Sequence, residues 1–334
     1  MQRFSRLRFL ASTLLGLVLG LQVSAQEKVT QPHWPSSFKP NSKAKIVLIS
    51  EGGGDKNYIY HTRNFELHSR APLSRRHLQK FATVAESVPQ VLAKFPLPLL
   101  GMPEGERAKV LIYPDEDTFI KAGGTPGSGG YYSGRKSAIL LRADTFLQPP
   151  PPTGSKLPPR ADYDLLVHEF VHLCMHKRLA YLPVWFTEGV AEYIAAAHQD
   201  NGFYRFDQME TAIRKRARHN LPNDKDFIRL PGIAKTMALT HQTWSEELEH
   251  GETGDGYRMY GTSTLIVHTL FNGGEKRRQL TREFLQNAKP RSPIKMEQRV
   301  EKLIPLAERE KLQQRIATYW RPRGLRIKFE AASE

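Results

Sequence analysis

Two histidines four residues apart, with a glutamate directly after the first, constrain this chain more than any other feature: HEFVH at His168–His172. On a helix, positions four apart share one face, so both imidazoles can address a single metal ion. Glu169 lies one step round and can reach a water on that ion. After fifteen intervening residues comes Glu188, within WFTEGVAEY at Trp185–Tyr193. From a following helix it would complete a His, His, carboxylate set with a fourth position left for water. That donor set suits a hydrolytic site holding one Zn2+ ion, with another divalent ion the less favoured occupant.

Rival ligand sets fail on geometry. His176 continues the ladder from His168 and His172, but eight residues of helix rise about 12 Å, too far for both ends to reach one ion. The metzincin pattern needs Gly and His three and six residues past the second histidine, where this chain has Met175 and Arg178. Glu169 as a ligand is less suitable than Glu169 as a base, given its neighbouring position. His176 is expected at the surface or just behind the ligands.

The first residues point outward from the cytoplasm. Arg3, Arg6 and Arg8 precede the apolar stretch Phe9–Leu21 and then Val23-Ser24-Ala25, the order of a secretory signal cleaved after Ala25. A largely apolar stretch of thirteen residues is short for a membrane-spanning helix. An uncleaved anchor is the alternative, and no other segment approaches a membrane span. With one cysteine, Cys174, the chain has no internal disulfide, so packing must hold the fold. Cys174 shares a helix face with Val167, Phe170 and Val171 and is expected in the core. An extracytoplasmic bacterial location, periplasmic or secreted, fits these features.

The formal net charge of +15, part of it in the leader, favours acidic partners such as wall polymers, lipid headgroups or acidic proteins. The clusters Arg214–Arg218 and Lys276–Arg278 read as solvated helix faces. No nucleic-acid module surrounds them, so nucleic acid is not an expected partner.

Residues 1–25 form the signal and 26–44 a loose lead-in. Residues 45–180 make a mixed sheet-and-helix lobe carrying the HExxH helix, and 181–334 a mainly helical lobe with the third ligand. The fold class is α+β. Lys45–Ser50 and Tyr58–Ser69 read as strands around the glycine turn Glu51–Asp55. Leu73–Phe95 has helical spacing. Ala108–Tyr113 and Ser137–Arg142 read as strands, Asp115–Lys121 as a short helix. Tyr131–Leu141 is a candidate sheet edge beside the cleft, open to an extended peptide, with an internal strand the alternative. Gln148–Pro159 reads as a stiff loop. The metal helix is expected from a cap at Asp162 to about Leu179, and Pro183 suits the opening turn of the next helix. Asp207–His219, Tyr257–Phe271, Lys276–Ala288 and Met296–Tyr319 are further expected helices.

The HEFVH and WFTEGVAEY motifs resemble the gluzincins, and more narrowly the peptidase MA-like families of secreted bacterial proteins. The motif-level likeness covers about Asp162–Tyr193, with a looser one over Phe65–Phe271. The spacer is shorter than in the thermolysin and aminopeptidase branches, and no Gly-x-Met-Glu-Asn segment is present, which argues against aminopeptidase specificity. The resemblance implies that His168, His172 and Glu188 bind zinc and that Glu169 is the catalytic base. Glu192 falls where relatives place a carboxylate that hydrogen-bonds a zinc-binding histidine; a plain surface carboxylate is the alternative. Gly189 lets two helices approach closely. The run from Tyr260 resembles the later family helix that begins with a tyrosine, which makes Tyr260 a donor to the oxyanion, with Tyr257 its rival and a core tyrosine the alternative. His268 is expected to pack between helices.

These readings converge on metal-assisted peptide-bond hydrolysis of a peptide or protein substrate, acidic or cell-wall associated. Two other readings stay open: a non-proteolytic extracytoplasmic binding protein on a zinc peptidase fold, and an amidase acting on peptidoglycan cross-links. An intact Glu169 disfavours the first, since a pure binder needs no general base.

Overall fold

Alternating apolar residues in the first half of the chain pair into a six-stranded mixed sheet in the computed structural model, which describes residues 34–40, 43–54, 56–146, 163–220, 227–250 and 255–330. Its strands are β1 (Val47–Ser50), β2 (Tyr58–His61), β3 (Phe65–Ser69), β4 (Ala108–Tyr113), β5 (Gly130–Ser133) and β6 (Ala138–Arg142). The spatial order is β1-β2-β3-β4-β6-β5, parallel across β3, β4 and β6 and antiparallel towards both edges. The class is therefore α+β. The leader at 1–25, the loop Gln148–Pro159 and the Asp162 cap lie outside the described residues.

One face of the sheet buries Phe65, Leu67, Val110, Ile112, Ile139 and Leu141. Against it packs the core that includes helix α1 (Arg75–Lys94), which opens where the Ser74 hydroxyl accepts from the His77 N–H. Helix α2 (Glu116–Lys121) is capped in the same way by Asp115, which accepts from Thr118 N–H at 2.9 Å. The HExxH helix α3 (Tyr163–Cys174) buries Phe170 edge-on to Phe65 and Phe81, at ring separations of 4.7 and 5.9 Å. Truncating such a ring to Ala costs about 3–5 kcal/mol. Cys174 is fully buried, as its face predicts.

Helix α4 (Val184–Ala197) begins after Pro183, whose φ of −70° suits a helix entrance. Then come α5 (Met209–Asn220), α6 (His241–His250), α7 (Asp255–Asn272), α8 (Glu275–Gln286), α9 (Met296–Leu303) and α10 (Leu306–Trp320). Short strands interrupt this half at 198–200, 203–205 and 228–230. No helix among the described residues is long and apolar enough to cross a membrane.

Three expected elements differ. The strand expected over Tyr58–Ser69 folds back on itself as β2 and β3, because the turn between them is held by buried Glu86. Its carboxylate accepts from Thr62 Oγ1 at 2.6 Å, Asn64 N–H at 2.7 Å and Asn64 Nδ2 at 2.5 Å. The metal helix stops at Cys174 rather than Leu179. Gly101 N–H takes the Cys174 carbonyl at 2.7 Å, Gly101 O accepts from Lys177 N–H, and a separate turn over His176–Leu179 follows. The helix expected over Met296–Tyr319 is two helices, since Pro305 has no N–H to continue the first and starts the second.

Candidate metal centre

The i, i+4 spacing on α3 brings His168 Nε2 and His172 Nε2 to 3.0 Å from each other. From α4, Glu188 Oε2 lies 3.2 Å from the first and 3.3 Å from the second. Among the described residues this is the one His, Cys, Asp and Glu group whose donor atoms converge closely enough for a metal ion. Ligands about 2.1 Å from a tetrahedral ion lie roughly 3.4 Å apart, so the spacing fits one ion at the centre of the three.

Gly189 explains how α4 reaches its place. A Cβ there would stand 2.6 Å from Ser263 O and 2.7 Å from Val267 Cγ2, both on α7. Only hydrogen at this position lets the two helices close, and the adjacent Glu188 is carried in with them.

Glu192, one turn after Glu188, hydrogen-bonds His168 Nδ1 at 2.9 Å. That contact leaves Nε2 facing the other donors and fixes the ring. Arg216 of α5 clasps Glu192 from behind, with Nε to Oε2 at 2.7 Å and Nη2 to Oε1 at 3.1 Å. Its Nη1 reaches Asp164 Oδ2 at 3.5 Å, and Asp164 in turn meets His198 Nδ1 at 3.3 Å.

The electrostatics follow from this layering. Burial opposes ionisation of Glu188, but the two imidazoles outweigh it and hold the carboxyl far below its ordinary range. Burial acts on Glu192 likewise and is overcome by Arg216 and His168, down to about 2. For His168, burial disfavours the charged ring, while the hydrogen bonds to Glu188 and Glu192 more than reverse it. Glu169 behaves in the opposite sense. Burial raises its carboxyl above the usual range against the pull of His168 and His172. Two largely covered carboxylates kept negative around paired imidazoles form a pocket of electron donors that could hold a metal ion.

Glu169 also accepts a hydrogen bond from the backbone of Tyr132 on β5. The Tyr132 ring stacks on His172 at 6.2 Å, and its hydroxyl bonds His176 Nδ1 at 2.5 Å. His176 is thus half-buried just behind the ligands. Of the two tyrosines on α7, Tyr260 packs edge-on to His168 at 5.9 Å, whereas Tyr257 is 60% exposed and touches Tyr260 instead. Burial, followed by the charge of Glu188, pushes the Tyr260 phenol well above its ordinary value, so it stays protonated. His268 stands apart, buried against Trp320 and Tyr193.

No protein-family model matches the chain, and no curated protein matches it. The centre therefore rests on its own geometry. Arg216 and Tyr132, which contact Glu192 and His172, are site neighbours that motif reading missed. Arg216 sat in a cluster that looks like a solvated face, and nothing local distinguishes it from Arg214 or Arg218. A tyrosine on a strand just before the metal helix was the only hint of Tyr132.

Proposed function

We propose that the chain is an extracytoplasmic zinc peptidase of gluzincin type that hydrolyses peptide bonds. The observation that carries the reading is the meeting of His168, His172 and Glu188 at 3.0–3.3 Å beside a buried carboxyl that lies outside the ligand set, Glu169. Two nitrogens and one carboxylate oxygen suit zinc over harder ions. Zinc supplies Lewis acidity and an acidified water, with a pKa near ~7.

The remaining work belongs to side chains of the chain. Glu169, whose burial raises its proton affinity, takes the proton from water and returns it to the departing amine. Tyr260, held protonated, donates a hydrogen bond to the oxyanion as it forms. The Glu192 and Arg216 pair keeps the His168 ring from turning. Among the described residues no strand covers the outer side of β5, which lies beside α3, and an extended substrate can pair along it through its backbone.

Peptide-library digestion by the purified chain, with zinc and with chelator, is the decisive assay. Glu169→Gln should retain one metal ion per chain and lose turnover by about 10²-fold or more. Cleavage by that variant at the parent rate would remove Glu169 from the mechanism. Parent protein that binds metal and cleaves nothing in the library would remove the peptidase reading.

A further inference from the structure

The far edge of the sheet from the metal carries an apolar strand that does not serve the core. Val47, Leu48 and Ile49 of β1 are 57%, 45% and 54% exposed, in a sheet whose other apolar strand residues are largely covered. Among the described residues no strand pairs with the outer side of β1. Three consecutive exposed apolar residues on an open edge invite pairing by another chain, and soluble proteins ordinarily avoid this arrangement.

Beside this edge lies a cleft of about 620 Å³ walled in part by Val47 and Ile49. Four cations line it: Lys43, Lys45, Arg63 and Arg107. Among the described residues Lys43, Lys45 and Arg63 make no ion pair, and Arg107 pairs with the exposed Glu106 while its Nε donates to Thr62 O at 2.9 Å. Glu86 is the one carboxylate in the lining, and both of its oxygens are already engaged by Thr62 and Asn64. A single edge lysine would discourage unwanted pairing. Even with Glu86 in the lining and Glu106 on Arg107, four cations stand against two carboxylates, an excess of positive charge matched to an anionic occupant.

We infer that β1 and this cleft bind an extended acidic segment of a partner polypeptide, added to the sheet as a seventh strand. The open backbone and the apolar side chains call for a polypeptide, and the rim selects one rich in Glu or Asp. A second copy of the chain is the poorer occupant, because its own four cations would face these four. The site stands five strand spacings from β5, roughly 24 Å at about 4.8 Å each. It is independent of the hydrolytic reading and survives the failure of that reading.

The test is fluorescence anisotropy of the full chain with three labelled ten-residue peptides in which Glu alternates with Val, Thr or Phe. Mass spectrometry of each peptide afterwards confirms that it is intact. At least one peptide should bind saturably. Lys45→Glu combined with Arg63→Glu, both surface changes, should weaken binding at least tenfold with the circular dichroism spectrum unchanged. N-methylation of alternate peptide nitrogens, which leaves the charge intact but removes main-chain donors, should weaken it by a similar factor. The inference is overturned if no peptide binds, if the methylated peptide binds as tightly as its parent, or if the charge reversal has no effect. It is also overturned if sedimentation shows a dimer that Val47→Lys dissociates, for then a second copy covers the edge.

Discussion

Two clusters among the described residues each join two histidines and one glutamate, and they differ in what they can do. In the first, His168, His172 and Glu188 turn one atom each toward a common point, 3.0–3.3 Å apart. In the second, on β2 and β3, His61 Nε2 bonds Glu66 Oε2 at 2.9 Å and His68 Nε2 bonds Glu66 Oε1 at 2.6 Å. There the carboxylate stands between the rings and spends a separate oxygen on each. The first set is nearly sealed, with histidine side chains 8% exposed; the second is open, at 23% and 19%. Only the first has a further layer, Glu192 and Arg216, to hold a ring in place. Residue type and short contacts are thus common to both. Convergence, burial and support from behind distinguish a candidate metal centre from a surface hydrogen-bond chain.

The sharpest way to break this contrast is metal analysis of paired variants. Glu188→Ala should abolish stoichiometric zinc binding, and Glu66→Ala should leave it intact. Equal metal content in the two would erase the distinction. A smaller effect is expected one layer out. Glu192→Ala should weaken zinc binding by about 10–100-fold in competition with a chromogenic chelator. Arg216→Ala should fall between that variant and the parent, because the Glu192 carboxylate remains but is free to swing. If Arg216→Ala equals the parent, the clasp is only structural.

The least effect belongs to the open cluster and its response to acid. The hydrogen bond from His68 is the largest influence holding the Glu66 carboxyl below its ordinary 4.5 in the folded chain. A depressed folded value means that the stabilisation is present above 4.5 and disappears as pH falls through the lowered value. At a site this exposed it amounts to no more than about 1 kcal/mol. Urea unfolding of Glu66→Gln should therefore converge on the parent as pH drops below 4.5 and trail it slightly above. A gap that widens with acid would reverse the assigned sign.

Local periodicity carried much of the fold. The helices expected over Leu73–Phe95 and Asp115–Lys121, and the buried face shared by Phe170 and Cys174, follow from spacing that acts within a turn or two. Apart from the break at Pro305, which is a local signal, elements failed where a distant group intervened. Glu86 closes the turn that divides β2 from β3, and Gly101 ends α3 by taking the carbonyl of Cys174. Both lie far in sequence from what they change, so no window of neighbouring residues contains the signal.

The amino-acid order by itself placed His168 and His172 on one helix face, Glu169 beside them, and Glu188 and Glu192 one turn apart, because helical geometry makes those relations local. Tertiary packing decided the rest. It let α4 approach α7 at Gly189, laid Tyr132 over His172, packed Tyr260 rather than Tyr257 against His168, and drew Arg216 out of a basic run to clasp Glu192. Those outcomes depend on burial and on distances between segments remote along the chain, which side-chain spacing does not encode.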